Sequence, residues 1–183
     1  GGKIVVAFLE TGSERVGPEI IIDGDDIACQ DASPSVSWDG TNFLVAYIRE
    51  VNAKVMYNNE LVDNWQFMVV GKRVSQAGAI LDASPILISE EGAQQESHLF
   101  KAKWADDVTS LFDGSRHVVV WEQTTNEDVW GPDGFKQIHG AFVSTDGTVS
   151  PNFVAFDRVN GLFGYVWYCK LDIAFTSNQI FVI

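Results

Sequence analysis

The chain has 183 residues, of which 46% are hydrophobic and 12% aromatic, a composition typical of a globular protein and not of a disordered one. Its 25 acidic and 12 basic residues give a formal net charge of −13, which argues against a nucleic-acid partner or binding to an anionic membrane surface. No apolar stretch reaches the roughly 18 residues of a membrane span. The two cysteines, without a CxxC spacing, support neither a disulfide framework nor a zinc site.

The first predicted elements are a short strand within residues 1–8 and a proline-led strand, Pro18–Ile22. Residues 36–47 then form the clearest pattern in the chain, a predicted β-hairpin. Trp38 ends its first strand, Asp39-Gly40 forms the turn, and an apolar strand leaves it. An Asp-Gly pair favours a type I′ turn, in which both central residues have positive φ.

The same hairpin pattern recurs further along the chain. Residues 110–121 repeat it around Asp113-Gly114, and residues 173–183 repeat it around Thr176-Ser177, a poorer turn sequence. We interpret residues 1–8 as a further copy that holds only the strand after the turn.

A second block separates the hairpins. Residues 74–78 match residues 143–147, and each block reads as a strand that enters a glycine turn. A proline-led apolar strand follows in both places, at Pro85–Ser89 and Pro151–Phe156. Each repeat therefore contains four strand signals, and four short antiparallel strands in a meander form one blade of a β-propeller. The predicted fold is all-β, built from such four-stranded blades.

We expect a single β-propeller-like repeat domain over residues 1–183, with about three blades. The approximate units are 1–39, 40–113, 114–176 and a final strand 177–183. Blades usually have about 40 to 50 residues, which predicts insertions at residues 52–65, 94–107, 124–136 and 157–167. Closed rings have about four to eight blades, so we expect closure to require further blades or other chains.

Residues 37–47, SWDGTNFLVAY, resemble the repeats of large bacterial secreted or surface proteins of β-propeller type. In those repeats a phrase similar to DGTNYLVVW is followed by one similar to RVSPDGT, and residues 73–78 and 143–148 are similar to the second phrase. The resemblance covers most of the chain outside the insertions. It implies a propeller fold and an extracellular or cell-surface location, but no reaction, because such repeats are scaffold motifs.

The predicted insertions are rich in aromatic residues. Tyr57, Trp65, Trp104 and Trp130 lie in or beside them. Loops on a rigid scaffold commonly carry binding residues, and flat aromatic faces suit sugar rings or protein hot spots. We therefore predict a non-catalytic binding module or scaffold whose ligand is a carbohydrate or a protein. The alternative for the aromatic residues is packing at the ends of blades or between them.

A competing interpretation is a hydrolase or lyase that acts on polysaccharides, with carboxylates at the mouth of a propeller channel. Glu10, Glu50 and Glu122 recur near the ends of the strands that follow the turns, although solvated strand ends explain them more simply. His117 occupies a strand position held elsewhere by Phe43, which indicates a half-buried strand residue. The sequence shows no catalytic motif, metal-ligand spacing or cofactor signature.

Overall fold

The computed structural model describes residues 3–9, 12, 16–24, 29–57, 60–89, 104–124, 136–159, 171–176 and 179–182. These residues form β-strands without a helix, as the sequence predicts. The strands are β1 (Ile4–Phe8), β2 (Val16–Asp23), β3 (Cys29–Trp38), β4 (Asn42–Tyr57), β5 (Glu60–Ser75), β6 (Ile86–Leu87), β7 (Trp104–Phe112), β8 (Arg116–Thr124), β9 (Lys136–Ser144), β10 (Phe153–Val159), β11 (Ile173–Thr176) and β12 (Gln179–Val182). None of the described residues belongs to a helix that could cross a membrane.

The strands form four antiparallel sheets, which we number in chain order. Sheet I pairs β1 with β2, and sheet IV pairs β11 with β12. Sheet II has the order β3-β4-β5-β6 and sheet III the order β7-β8-β9-β10, so each is a four-stranded meander. The predicted four-stranded antiparallel sheets are therefore confirmed. Each complete sheet begins with the strand that precedes its Asp-Gly turn, β3 or β7. The repeat units predicted from the sequence begin one strand later, after the turn.

Strand β1 does not have the place that the sequence pattern suggested. It pairs directly with the proline-led strand β2, as β5 pairs with β6 and β9 with β10. Its position is therefore that of the third strand of a sheet, and its interpretation as the second strand, which follows the turn, is wrong. Gly12 marks the same position, because it has positive φ like Gly78 and Gly147 after β5 and β9.

The two Asp-Gly turns form where they were predicted, but not as type I′ turns. Gly40 and Gly114 have φ of 95° and 96°, whereas neither aspartate has positive φ. The aspartates act through their side chains instead. Asp39 Oδ1 accepts hydrogen bonds from the backbone N–H groups of Thr41 and Asn42, both at 2.7 Å. Asp113 binds its own turn in the same way, so the carboxylate supplies the acceptor that closes the turn.

The insertion predicted at residues 52–65 lies within two strands. Residues 52–57 continue β4, and residues 60–65 begin β5 in unbroken antiparallel register with them. Strand β3 pairs with β4 only as far as Val51. Most residues of the other three predicted insertions lie outside the described part of the chain.

The second strand of each complete sheet is buried on both faces, which explains its run of apolar residues. Successive side chains of a strand point to opposite faces. In β4, Val45 and Tyr47 pack with Ile4 and Ile22 of sheet I, whereas Leu44 and Ala46 pack against sheet III. In β8, Val119 and Trp121 face sheet II, and Val118 and Val120 pack with residues of sheet IV. The sheets are therefore stacked face to face in chain order.

Polar contacts join each pair of neighbouring sheets at defined points. Lys72 Nζ of sheet II donates to the Ile22 carbonyl of sheet I at 2.8 Å. The Ser110 N–H of sheet III donates to Ser35 Oγ of sheet II at 2.9 Å. Beside sheet IV, the Leu171 N–H donates to Asp107 Oδ2 of β7 at 2.8 Å. Because hydrogen bonds are directional, these contacts fix the register of sheets that apolar packing alone would allow to slide.

Candidate functional site

The stack of sheets has two ends with different chemistry. We call the end that carries the Asp39-Gly40 and Asp113-Gly114 turns the turn end, and the opposite end the distal end. The two turns lie at the same end, because Asp39 of sheet II approaches His117 of sheet III to 3.7 Å. Strands β4 and β8 run from the turn end to the distal end, and β7 begins at the distal end.

Three of the four predicted aromatic binding residues lie on strands at the distal end. Tyr57 is the last residue of β4, Trp65 pairs with Asn52 on β5, and Trp104 is the first residue of β7. Trp130 lies outside the described residues. Trp65 and Tyr57 are separated along the hairpin by five residue positions, about 16 Å at roughly 3.3 Å per residue. The structure thus puts Tyr57, Trp65 and Trp104 at one end of two adjacent sheets, but pairs none of them with another.

The hairpin formed by residues 52–57 and 60–65 is the main feature of the distal end. We call it the distal ribbon. It extends six residues beyond the last pairing between β3 and β4, or about 20 Å at roughly 3.3 Å per residue. Among the described strands, only β4 and β5 contribute to it. Among the described strands, neither edge of the ribbon beyond Val51 has a paired neighbour.

Two of the carboxylates that suggested an enzyme lie on the second strands of different sheets, Glu50 on β4 and Glu122 on β8. Glu50 is half-buried, and this burial raises the pKa of its carboxyl group. Glu122 is 1% exposed and lies within sheet III. Glu10 lies outside the described residues. Strand β4 is flanked by β3 and β5, and β8 by β7 and β9, so both carboxylates belong to the interior of a sheet.

A buried polar contact at the turn end joins sheets II and III. His117, which is fully buried, has its Nδ1 atom 2.7 Å from Ser37 Oγ, and Ser37 is only 6% exposed. Asp39 Oδ2 lies 3.7 Å from the other ring nitrogen, Nε2. Burial lowers the pKa of His117, although the negative charge of Asp39 opposes this shift. The histidine is therefore more deeply buried than its sequence position indicated.

Serine, histidine and aspartate are the residue types of a hydrolase triad, but this geometry does not support catalysis. In a triad the aspartate orients Nδ1, and Nε2 takes the proton of the serine. Here Ser37 is at Nδ1 and the aspartate is on the Nε2 side. The serine and histidine are also closed off from solvent. The contact positions the sheets, and sequence reasoning missed it because its two partners are 80 residues apart.

A small acidic cleft opens beside this contact. Its volume is about 340 Å³, and it is lined by Asp39, Thr41, Asn42, Thr145 and Asp146. Asp146 Oδ1 accepts the N–H of Thr148 at 2.9 Å, a hydrogen bond that contributes to lowering the pKa of its carboxyl group. Both carboxylates of the cleft thus hold their own turns. Among the described residues, no group of three or more His, Cys, Asp or Glu side chains is placed to bind a metal ion.

A larger cleft lies between sheets I and II and is apolar. Its volume is about 360 Å³, and its lining consists of Val6, Ala7, Phe8, Leu9, Val36, Phe43, Val45 and Val74. We call it the sheet I groove. Val36 is 58% exposed and Leu9 is 70% exposed, so the groove is continuous with an open apolar surface. No candidate binding residue from the sequence lies in it.

Comparisons with protein-family models, with curated proteins and with solved structures give no match to this chain.

Proposed function

We propose that the chain is a non-catalytic binding module of propeller type, located outside the cell or at its surface, with a carbohydrate or protein ligand at the distal end. The observation that supports this proposal most directly is the distal ribbon. A hairpin that continues beyond the pairing of β3 with β4 carries Tyr57 and Trp65, and Trp104 begins the neighbouring sheet at the same end. Aromatic residues on a rigid scaffold are suited to flat sugar faces and to protein hot spots.

The stack supplies the rigidity that such a module needs. The central strands β4 and β8 of sheets II and III are buried on both faces, and hydrogen bonds between Ser35 and Ser110 and between Ser37 and His117 join the two sheets. Arg73 adds a third link, because its side chain binds Asp82 within sheet II and donates to the Thr145 carbonyl of sheet III at 2.8 Å. A fixed platform lowers the entropy that is lost when a ligand binds.

Face-to-face stacking of four-stranded antiparallel sheets also supports the propeller proposal. The most extensive backbone contacts between neighbouring sheets II and III join their first strands, β3 and β7. A radial arrangement around an axis has its innermost strands nearest to each other. The extracellular location depends on the sequence resemblance alone.

A binding screen with matched variants tests the proposed function. The chain is applied to a glycan array and to an extracellular protein panel, and hits are quantified for Trp65→Ala and Trp104→Ala. We expect either change to weaken binding at least about ten-fold, since a hot-spot aromatic contributes about 2 kcal/mol or more. Trp38→Ala is the control, because Trp38 is partly exposed at the turn end. Binding that survives both distal variants, or that is lost only with Trp38, contradicts the proposal.

A further inference from the structure

The chain contains five Asp-Gly pairs, and the described residues include four of them. At Asp39, Asp113 and Asp146 the side chain accepts backbone N–H groups two or three residues further along the turn. At Asp23 the carboxylate instead accepts the N–H of the next residue, Gly24, with 3.0 Å between the nitrogen and Oδ1. Asp23 differs from the other three aspartates in this contact.

The contact keeps a backbone nitrogen beside the carboxyl carbon of the same Asp-Gly pair. Oδ1 is bonded to the carboxyl carbon Cγ, so a hydrogen bond to Oδ1 also holds the Gly24 nitrogen near Cγ. Positioning of reacting atoms at roughly 3–3.5 Å accelerates reactions within one molecule. A bond between these two atoms would close a five-membered imide ring. Glycine has no side chain to obstruct the closure, and it readily adopts the φ of 125° found at Gly24.

The second oxygen of the same carboxylate is held by two other side chains. The hydroxyl of Tyr47, a fully buried residue, donates a hydrogen bond to Asp23 Oδ2. Arg49 Nη1 lies 4.0 Å from the same oxygen. When a nucleophile adds to Cγ, negative charge develops on this oxygen, and donors already aimed at it stabilise that state. The Asp23 side chain is only 13% exposed, so water weakens these interactions less than it would on an open surface.

We propose that Asp23-Gly24 is a self-modification site, at which the fold promotes closure of a cyclic imide and its conversion to isoaspartate. In the first step the Gly24 nitrogen forms a bond to Cγ, and its proton passes to Oδ1, which already accepts it in a hydrogen bond. A second proton reaches Oδ1 from solvent, the bond between Cγ and Oδ1 breaks, and one water molecule leaves. Oδ2 remains as the imide carbonyl oxygen beside the Tyr47 hydroxyl.

Hydrolysis completes the modification without a cofactor. Water adds to the main-chain carbonyl carbon of Asp23, the bond from that carbon to the Gly24 nitrogen breaks, and the nitrogen stays bonded to Cγ. The former main-chain carbonyl becomes a carboxylate, and its proton goes to solvent. The main chain then runs through the former side chain, with one carbon atom more than before.

Isoaspartate at this position would change the junction between sheets I and II. Asp23 ends β2, pairs with Ile4 of β1, and joins β2 to Tyr47 of β4 through its carboxylate. The new carboxylate is attached one carbon atom closer to the main chain, so it no longer reaches Tyr47 in the same way. Ile4, Ile22 and Tyr47 belong to one core cluster, and the modification should therefore loosen the packing of sheet I on sheet II. The inference depends neither on the proposed ligand nor on the propeller proposal.

Peptide mapping of the aged 183-residue chain tests the proposal. The folded protein is kept at neutral pH and sampled over weeks by mass spectrometry, in which the imide is lighter by one water and electron-transfer fragmentation distinguishes isoaspartate from aspartate. We expect at least about ten-fold more modification at Asp23 than at Asp39, Asp113 or Asp146. The same chain in guanidinium chloride lacks the contacts, and there Asp23 should react at least about ten-fold more slowly. Equal modification of the four pairs, or no acceleration by folding, overturns the proposal.

Tyr47→Phe tests the part played by the hydroxyl, because it removes the donor to Asp23 Oδ2 and keeps the ring. We expect modification at Asp23 to slow at least about ten-fold. Val45→Ala is the matched control, since Val45 is buried in the same core cluster and loosens its packing without changing the hydroxyl. An unchanged or faster rate in Tyr47→Phe, or equal slowing in both variants, contradicts the proposal. If Tyr47→Phe does not fold, the comparison of folded and denatured wild type decides.

Discussion

The contact between Ser37 and His117 allows a quantitative test of how the sheets are joined. In Ser37→Ala, His117 Nδ1 loses the hydroxyl that lies 2.7 Å away, in a place closed to water. A buried polar group left without a partner costs about 1–3 kcal/mol. In a domain of this size, each kcal/mol lowers the melting temperature by about 2–4 °C. We therefore expect a loss of about 2–12 °C.

Removing both partners should cost much less than removing one. His117→Phe alone leaves the Ser37 hydroxyl buried, whereas the double variant Ser37→Ala, His117→Phe places an apolar pair at the junction. Phe43 already occupies the equivalent position in sheet II, where its ring centroid lies 4.4 Å from that of Trp38. We expect the double variant to be close to wild type, with a coupling free energy of at least about 1 kcal/mol.

The same contact predicts how the free energy of unfolding depends on pH. The ordinary pKa of a histidine is 6.5, and burial lowers the pKa of His117 in the folded protein, with Asp39 and Asp113 opposing the shift and Arg73 adding to it. Between the two pKa values, the unfolded chain binds more protons than the folded one. The stability contributed by neutral His117 is therefore complete above about pH 6.5 and is lost as the pH falls toward the folded pKa.

Urea unfolding at pH 8, 7, 6 and 5.5 measures both effects on the wild type, the single variants and the double variant. The wild type should lose stability over this range, and the double variant should lose less, since position 117 no longer titrates. If the double variant is as unstable as Ser37→Ala, or retains the whole pH dependence, the contact does not have the role assigned to it.

Three further substitutions test the packing, the turns and the link at Arg73, each measured by chemical denaturation. Leu44→Ala should cost about 2–5 kcal/mol, because Leu44 is fully buried between sheets II and III. Gly114→Ala should cost about 1–2 kcal/mol, all from backbone strain, because φ is 96° and no atom lies within 4 Å of the added Cβ. Arg73→Lys should cost about 1 kcal/mol or more, because lysine cannot bridge Asp82 and Thr145 together.

Each of these predictions has its own control. Val154→Ala removes methyl groups from an exposed side chain and should change the free energy of unfolding by less than about 0.5 kcal/mol. If Leu44→Ala costs no more than this control, Leu44 is not part of a packed core between the sheets. Gly114→Asn should recover much of the loss, because asparagine tolerates positive φ, and no recovery would mean that strain is not the cause. Asp82→Asn should cost as much as Arg73→Lys if the two residues act as one unit.

Much of the local structure could be predicted from the sequence, because turns and strand periods are local signals. Asp39-Gly40 and Asp113-Gly114 mark hairpins, and the structure has hairpins there. Residues 52–65 were predicted only as an insertion, and the structure shows that they extend β4 and β5 beyond their pairing with β3. The alternation of Val51, Ala53 and Val55 with polar residues was the signal of a strand.

What depends on distant contacts could not be predicted in this way. The second and third strands of a sheet have similar apolar composition, so the sequence of β1 alone does not show which of the two it is. The glycine that follows β1, Gly12, was the available signal, because Gly78 and Gly147 follow the third strands β5 and β9 in the same way. The partner of His117 depends on how two sheets align, which no local pattern encodes. Tyr57, Trp65 and Trp104 were chosen for their residue type, and their common location at the distal end follows from the strand directions.

Burial on both faces leads to a prediction about single sheets. Cut out as residues 104–159, sheet III would expose Val119 and Trp121 on one face and Val118 and Val120 on the other, although all four are at most 1% exposed in the chain. Burying side chains of this size contributes about 1.5–3 kcal/mol each, so the four together contribute about 6–12 kcal/mol, which is comparable to the roughly 5–15 kcal/mol that stabilises a typical domain.

We therefore expect residues 104–159 to show no cooperative unfolding transition in urea, and residues 29–159, which retain the core between sheets II and III, to show one. Circular dichroism and amide proton dispersion compare the two fragments directly. A cooperative transition in the shorter fragment would mean that one sheet is a folding unit by itself. Sheet III would then be stable without packing against its neighbours, and burial between sheets would not explain the apolar residues on both faces of β8.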